Sequence, residues 1–148
     1  MIQYLLDTDT LSYLMKKNHP HHPAVLQRLL IQPEGGVALS VITLAEIARG
    51  LENIKTHLAN DILSKAIASI LSSLVVLEFN EEAAWAYGKV RTEVMQAGKD
   101  IGVMDSLIAA HALSQDLILV TNNTKHFYNI SGLKLENWCP VSSSNEKA

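Results

Sequence analysis

Short, almost unbroken apolar runs alternate along this chain with longer segments in which apolar residues recur every three or four positions. The runs predict strands at residues 3–6 (QYLL), 37–39, 74–79 (LVVLEF), 117–120 (LILV) and, more weakly, 133–136. The helical spacing predicts a helix over residues 8–17, with Leu11, Leu14 and Met15 on one side, and another over 24–32, with Val25, Leu26, Leu29 and Leu30. The NHPHHP segment at 18–23 separates these two. Further helices are expected over 41–52, 56–72, 80–98 and 104–115, with a short helical turn near 124–128.

Polar residues punctuate the pattern where helix ends need them. Ser40 is placed to cap the helix that starts at Val41. Asn80 precedes Glu81 and Glu82, two acids where a helix N-terminus favours negative charge. Gly98 stands where the same helix should end. Strands alternating with helices of this length predict βαβ units. The expected fold is a three-layer α/β/α sandwich, with a mostly parallel central sheet of four or five strands. Residues 1–141 read as one domain, and the SSSNEKA tail at 142–148 as a frayed end.

Composition narrows the class. An apolar fraction of 48% with only 18% charged residues, in 148 residues, argues against disorder. A mean hydropathy of +0.12 suits strands buried on both faces. Cys139 is the single cysteine, so no intramolecular disulfide and no Cys-rich zinc site can form. The opening MIQYLLDTDT lacks a basic n-region, and the most apolar stretch, 62–79, is broken by Lys65 and serines. With the single cysteine, the missing signal peptide predicts a cytoplasmic protein, and the broken stretch predicts no membrane span. The net charge of −3 is unlike a basic nucleic-acid-binding surface, so affinity for phosphate has to come from a local patch or a bound cation.

Three carboxylates stand out by position. Asp7 follows the first strand and so belongs at its carboxyl end, where ligands bind in parallel sheets. Glu46 lies among Val41, Leu44, Ala45, Ala48 and Leu51, where an acid needs a partner. Asp105 opens the almost wholly apolar LIAAHAL helix. Each has a plainer reading. Asp7 and Asp105 can cap helices, and Glu46 can pair with Arg49 at i+3. Convergence of all three on one sheet edge is harder to attribute to capping. Two carboxylates 4 Å apart repel by about 4 kcal/mol at an effective dielectric of 20, so a cluster protonates in part or binds a cation. An all-oxygen site suits Mg²⁺ or Mn²⁺ better than Zn²⁺, and such ions support hydrolysis of phosphate esters.

The stretches YLLDTDTLSYL (4–14), LSVITLAEIARGL (39–51), IGVMDSLIAAHAL (101–113) and LVTNNTKHF (119–127), with ISGLKLENW (130–138), resemble PIN domains, in particular the VapC-type toxins of bacterial toxin–antitoxin pairs. The resemblance runs in order from residue 3 to about 138. It implies a Mg²⁺- or Mn²⁺-dependent endoribonuclease that cleaves structured RNA, with tRNA favoured, and inhibits translation. It further implies a homodimer and a VapB-like antitoxin partner that covers the metal site. Asp7, Glu46 and Asp105 become the metal-binding acids. Asn123 occupies the position where many members carry a fourth acid, a departure that removes one charge. Thr121 and Asn122 are candidate supports beside it, and Asp9 is expected to support Asp7 rather than to cap the helix.

Lys16, Lys17, Arg49 and Lys125 are candidate RNA contacts, with Arg49 favoured as the partner of Glu46. His19, His21 and His22 lie among prolines with no nearby acid, which argues against a metal site. His111 reads as a satisfied core or groove histidine, His126 as exposed, and Asp100 as a solvated loop acid. Trp85, Tyr87 and Trp138 read as packing residues. A competing reading is a phosphatase of the haloacid dehalogenase type, because Asp7-Thr8-Asp9-Thr10-Leu11 matches the start of its D-x-D-x-T motif. That reading leaves Glu46 and Asp105 unexplained and finds only Asn122-Asn123 where a late acidic motif is needed. A non-enzymatic binding module on the same fold is a third reading, disfavoured because all three acids are retained.

Overall fold

A computed structural model describes residues 1–54 and 56–140, so the expected tail at 142–148 lies outside the described residues. Five strands form one fully parallel sheet: β1 (Tyr4–Leu6), β2 (Val37–Ser40), β3 (Val75–Leu77), β4 (Ile118–Val120) and β5 (Lys134–Glu136), in the order β3-β2-β1-β4-β5. Among the described residues seven helices connect them: α1 (Thr8–Met15), α2 (His22–Leu30), α3 (Val41–Glu52), α4 (His57–Leu71), α5 (Glu81–Gln96), α6 (Val103–Ser114) and α7 (Thr124–Phe127).

The strand residues alternate between two cores, as a period of two requires. Tyr4, Leu6, Val37, Leu39 and Val120 face the first, with Leu11, Leu14 and Val25 from α1 and α2 and Ile67 from α4. Leu5, Ala38 and Leu119 face the second, with Val90 and Val94 from α5, Ile108 and Ala112 from α6, and Phe127 from α7. Apolar strands covered on both faces account for the high hydropathy. The result is the expected three-layer sandwich. No described helix is long and apolar enough to cross a membrane.

The helix ends follow the polar punctuation. The Ser40 hydroxyl accepts from the Ile42 amide, and the Asn80 side chain accepts from that of Ala83. Gly98 follows the α5 C-cap at φ +75°, a left-handed value that suits glycine. Of the LVVLEF run only Val75–Leu77 forms a strand, because its pairing with β2 ends where β2 ends, at Ser40, and its burial is partial.

The chain leaves β1 for α1 on one face and β4 for α7 on the other. A crevice therefore opens at the carboxyl ends of β1 and β4, the place where parallel sheets seat ligands.

Candidate active site

Asp7 is the first residue beyond β1, and its amide donates to the Val120 carbonyl at 3.0 Å. That bond anchors it at the crevice. Its carboxylate accepts from the Thr10 amide at 2.8 Å, so Asp7 does cap α1. Capping uses one carboxylate oxygen, so the structural reading and the chemical reading coexist. Asp7 is buried, and burial raises its pKa, against hydrogen bonds from Thr121 and Thr10 that favour the charged form.

Asp105 lies in the first turn of α6 and makes no cap. Gly102 starts that helix at φ +92°, a conformation that a side chain would strain. Burial first, then the charges of Asp7 and Glu46, push the Asp105 pKa up to about 6. Nδ1 of His126, on α7, stands 3.9 Å from Asp105 Oδ2 and opposes that shift. His126 is exposed as expected, yet it is the basic side chain at the acids. Sequence reasoning missed this because the four residues of α7 are too short to show a periodicity.

Glu46 corrects an expectation. No ion pair joins it to Arg49, which is exposed. Its Oε1 instead accepts from the Thr8 hydroxyl at 2.6 Å, and the Thr43 hydroxyl lies 3.3 Å from that of Thr8. The tertiary partner wins because a neutral hydroxyl can sit in the half-buried space between α1 and α3, where a guanidinium would lose hydration. Thr8, the residue after Asp7, is thus a site residue that the sequence did not flag.

One cavity of about 240 Å³ is lined by Asp7, Thr8, Asp9, Glu46, Asp105, Asn123 and Phe127. The three acids and Asn123 are therefore brought together from β1, α3, α6 and the end of β4. Asp9 lines the same cavity from its exposed position. Thr121 is buried behind it, close to Asp7, and its hydroxyl accepts from the Asn123 amide at 3.0 Å. Asn122 points elsewhere and accepts from the Asn137 side chain. Lys16 and Lys17 are exposed beyond α1 and do not line this cavity, whereas Lys125 lines a neighbouring one.

The donor set is all oxygen, which fits a hard divalent ion. Among the described residues the acids do not close into a group of three that could hold an ion on side chains alone. An ion that keeps several waters, as Mg²⁺ does, suits carboxylates spaced around a cavity.

The remaining expectations divide. His111 is wholly buried, with Nδ1 2.7 Å from Ser40 Oγ, but Nε2 has no hydrogen-bond partner, so it is only half satisfied. Asp100 is not a free loop acid: it pairs with Arg91 through two bonds, at 2.6 and 3.0 Å. His19 stacks on Tyr13 at 4.5 Å and accepts from the His21 amide, a packed turn instead of a ligand set. Trp138 is buried against Tyr4, and Tyr87 packs on the second core. Trp85 is 76% exposed, contrary to its reading as a packing residue, because it lies on the outer side of α5.

The model for the PIN domain matches residues 4–133. The chain is 34% identical over 139 residues to a tRNA(fMet)-specific endonuclease VapC of Salmonella typhimurium, covering 94% of this chain and all of the relative. It is 36% identical over 135 residues to Ribonuclease VapC2 of Rickettsia felis, covering 91% of this chain and 97% of the relative. The crystal structure of DNA-bound VapBC from Salmonella typhimurium superposes with a TM-score of 0.83 at 32% identity, over 94% of this chain and 100% of the other. These similarities favour the nuclease over the phosphatase reading, since they span the strands and helices that carry Glu46 and Asp105 as well as the Asp7–Leu11 stretch. The chain belongs to the PIN-domain family, among the VapC proteins.

Proposed function

We propose that this protein is a metal-dependent endoribonuclease toxin that hydrolyses phosphodiester bonds of structured RNA, with tRNA the favoured substrate, and so inhibits translation. The cavity that gathers Asp7, Glu46, Asp105 and Asn123 is the observation that carries this reading. Its support from relatives is that similar proteins bear the names endonuclease and ribonuclease.

Asp7, Glu46 and Asp105 would hold Mg²⁺ or Mn²⁺. When bound, such an ion supplies activation of water and stabilisation of the leaving oxygen. The chain's own residues do the positioning. Thr8 fixes the Glu46 carboxylate through its hydroxyl, and Thr10 and Thr121 fix that of Asp7. Asn123 offers an amide toward the substrate where a fourth acid would add repulsion. Asp9 supports the cavity from the solvent side. Burial is the first cause of the raised Asp105 pKa, and the charges of Asp7 and Glu46 that add to it are the charge that a divalent cation would relieve. Products are expected to carry 5′-phosphate and 3′-hydroxyl ends.

The partner proposed is a VapB-like antitoxin in a hetero-oligomer built on a toxin homodimer, since similar proteins were crystallised as VapBC complexes. A cytoplasmic location is proposed on the single buried free cysteine, Cys139.

The test is cleavage of total RNA by the purified protein with Mg²⁺ or Mn²⁺, with EDTA, and with Asp7→Asn. Discrete fragments that require both the ion and Asp7 are expected. Turnover of p-nitrophenyl phosphate through an aspartyl-phosphate, without RNA cleavage, would overturn the reading.

A further inference from the structure

We propose that a second cavity, beside the acidic one, is a binding subsite for a single RNA nucleotide next to the scissile phosphate. This deepens the ribonuclease reading and rests on it for the choice of RNA as ligand. The cavity has a volume of about 200 Å³. Its floor is apolar, built from Val94 of α5, Ile101 and Ile130. Its rim carries Lys99, Lys125 and Asn129. An apolar floor under a cationic rim matches a nucleotide, which is a flat apolar base joined to an anionic phosphate.

Three further observations favour this occupant. First, the two cavities share α7 as their dividing wall. Phe127 and Asn123 face the acidic side, and Lys125 and His126 the basic side. His126 also stands 3.9 Å from Asp105, so the basic cavity begins at the acids themselves. Second, the one acid in the basic cavity is neutralised. Asp100 is gripped by Arg91 through two hydrogen bonds and accepts from the Gly102 amide at 2.7 Å, so its charge does not cancel the two lysines. The chain has a net charge of −3, yet this cavity is locally positive. Third, the same grip fixes the loop that forms one wall, since Arg91 also reaches the Ser106 hydroxyl on α6 at 3.3 Å. The subsite is preorganised against the helix that carries Asp105. Asn129 is exposed at the rim, where its amide can read the edge of an inserted base.

The test is binding of a fluorescein-labelled, mixed-sequence single-stranded RNA octamer to the full chain in EDTA, so that neither metal nor cleavage is needed. Two variants are compared with wild type, each checked for folding by its melting curve. Ala97→Trp, at an exposed lining position, fills the cavity without changing charge and should weaken binding about tenfold, the scale of one base losing its burial on the apolar floor. Lys125→Glu should weaken it and lower the slope of log Kd against log salt by about one or more. Lys65→Glu, on α4 and paired with Asp61, should bind like wild type.

Wild-type binding by Ala97→Trp would overturn the subsite. So would equal loss in Lys65→Glu and Lys125→Glu, which would mean diffuse charge, and so would an octamer that wild type ignores while an acidic peptide binds. A protein that binds the octamer through this cavity but cleaves no RNA with metal would break the ribonuclease reading and leave the subsite standing.

Discussion

His111 Nδ1 and Ser40 Oγ stand 2.7 Å apart and join α6 to the N-cap of α3. The same hydroxyl accepts from the Ile42 amide, so one serine caps the helix of Glu46 while it contacts the helix of Asp105. Burial lowers the pKa of the imidazole, and the Glu78 backbone opposes this only partly. His111 also packs edge-on against Phe79 at 5.3 Å. His111→Ala should therefore lose about 3 kcal/mol, combining a cavity with a lost hydrogen bond. His111→Asn, which keeps a polar group at the site, should lose less. Urea unfolding measures both, and a change below about 0.5 kcal/mol for His111→Ala would show the contact to be idle.

The Thr8 hydroxyl donates to Glu46 and lies against that of Thr43. Thr8→Val keeps the shape and removes that donor. Cleavage should fall by about 10- to 100-fold, the usual cost of losing a group that orients a metal-binding carboxylate. Thr8→Ser should restore most of it. Steady-state kinetics on a defined RNA gives the comparison, with urea unfolding to show that stability moves far less than activity.

Asp105 makes the metal-free protein pH-sensitive. Its folded pKa of about 6 lies above the ordinary 3.8, so between these values the folded state holds more protons than the unfolded one. The stabilising proton is fully present at low pH and is lost as pH rises through about 6. In EDTA, Asp105→Asn should melt above wild type at pH 7.5, and the gap should close by pH 4. Millimolar Mg²⁺ should reverse the order at pH 7.5. Saturation near a hundredfold over Kd stabilises the wild type by about 2.7 kcal/mol, and the variant gains less. Differential scanning fluorimetry across pH suffices, and a wild-type Tm indifferent to Mg²⁺ and Mn²⁺ would count against the metal site.

Asp100 has the opposite sign. The hydrogen bond from Arg91, with help from the Gly102 amide, holds its pKa at about 2. Its contribution to stability is present above the ordinary pKa of 3.8 and is lost as pH falls through about 2. Arg91→Ala should return the Asp100 pKa toward 3.8, read by carboxyl ¹³C titration. An unmoved titration would mean that the pair does not hold the loop.

The layered fold was legible because period and punctuation agree. Ser40 and Asn80 announce their helices in the sequence, and the α3 boundaries follow directly. The α/β alternation likewise predicts that Asp7 reaches a sheet edge. What escaped were contacts between residues far apart in the chain. Arg49 is the nearest cation to Glu46 along its helix, but Thr8, 38 positions away, is its actual partner. Local spacing carries no information about a neighbour that only the packing of α1 on α3 supplies. His126 escaped for a related reason: its place beside Asp105 depends on β4 delivering α7 to the crevice. The β3 strand is shorter than its apolar run because hydropathy does not mark where the pairing with β2 stops, at Ser40.

The pairing of β1 with β4 also sets when the site can come into being. Leu6 lies beside Val120 in the finished sheet, so Asp7, made among the first residues, must wait for nearly the whole chain before Asn123 joins it. At synthesis rates of about 5–20 residues per second that delay is on the order of ten seconds. Until residue 105 is made the emerging chain carries only Asp7 and then Glu46 of these groups, and Asn123 follows Asp105 by another 18 residues. The topology thus makes the acidic cavity one of the last features of the fold to assemble, after the segments that carry its first acids are already made.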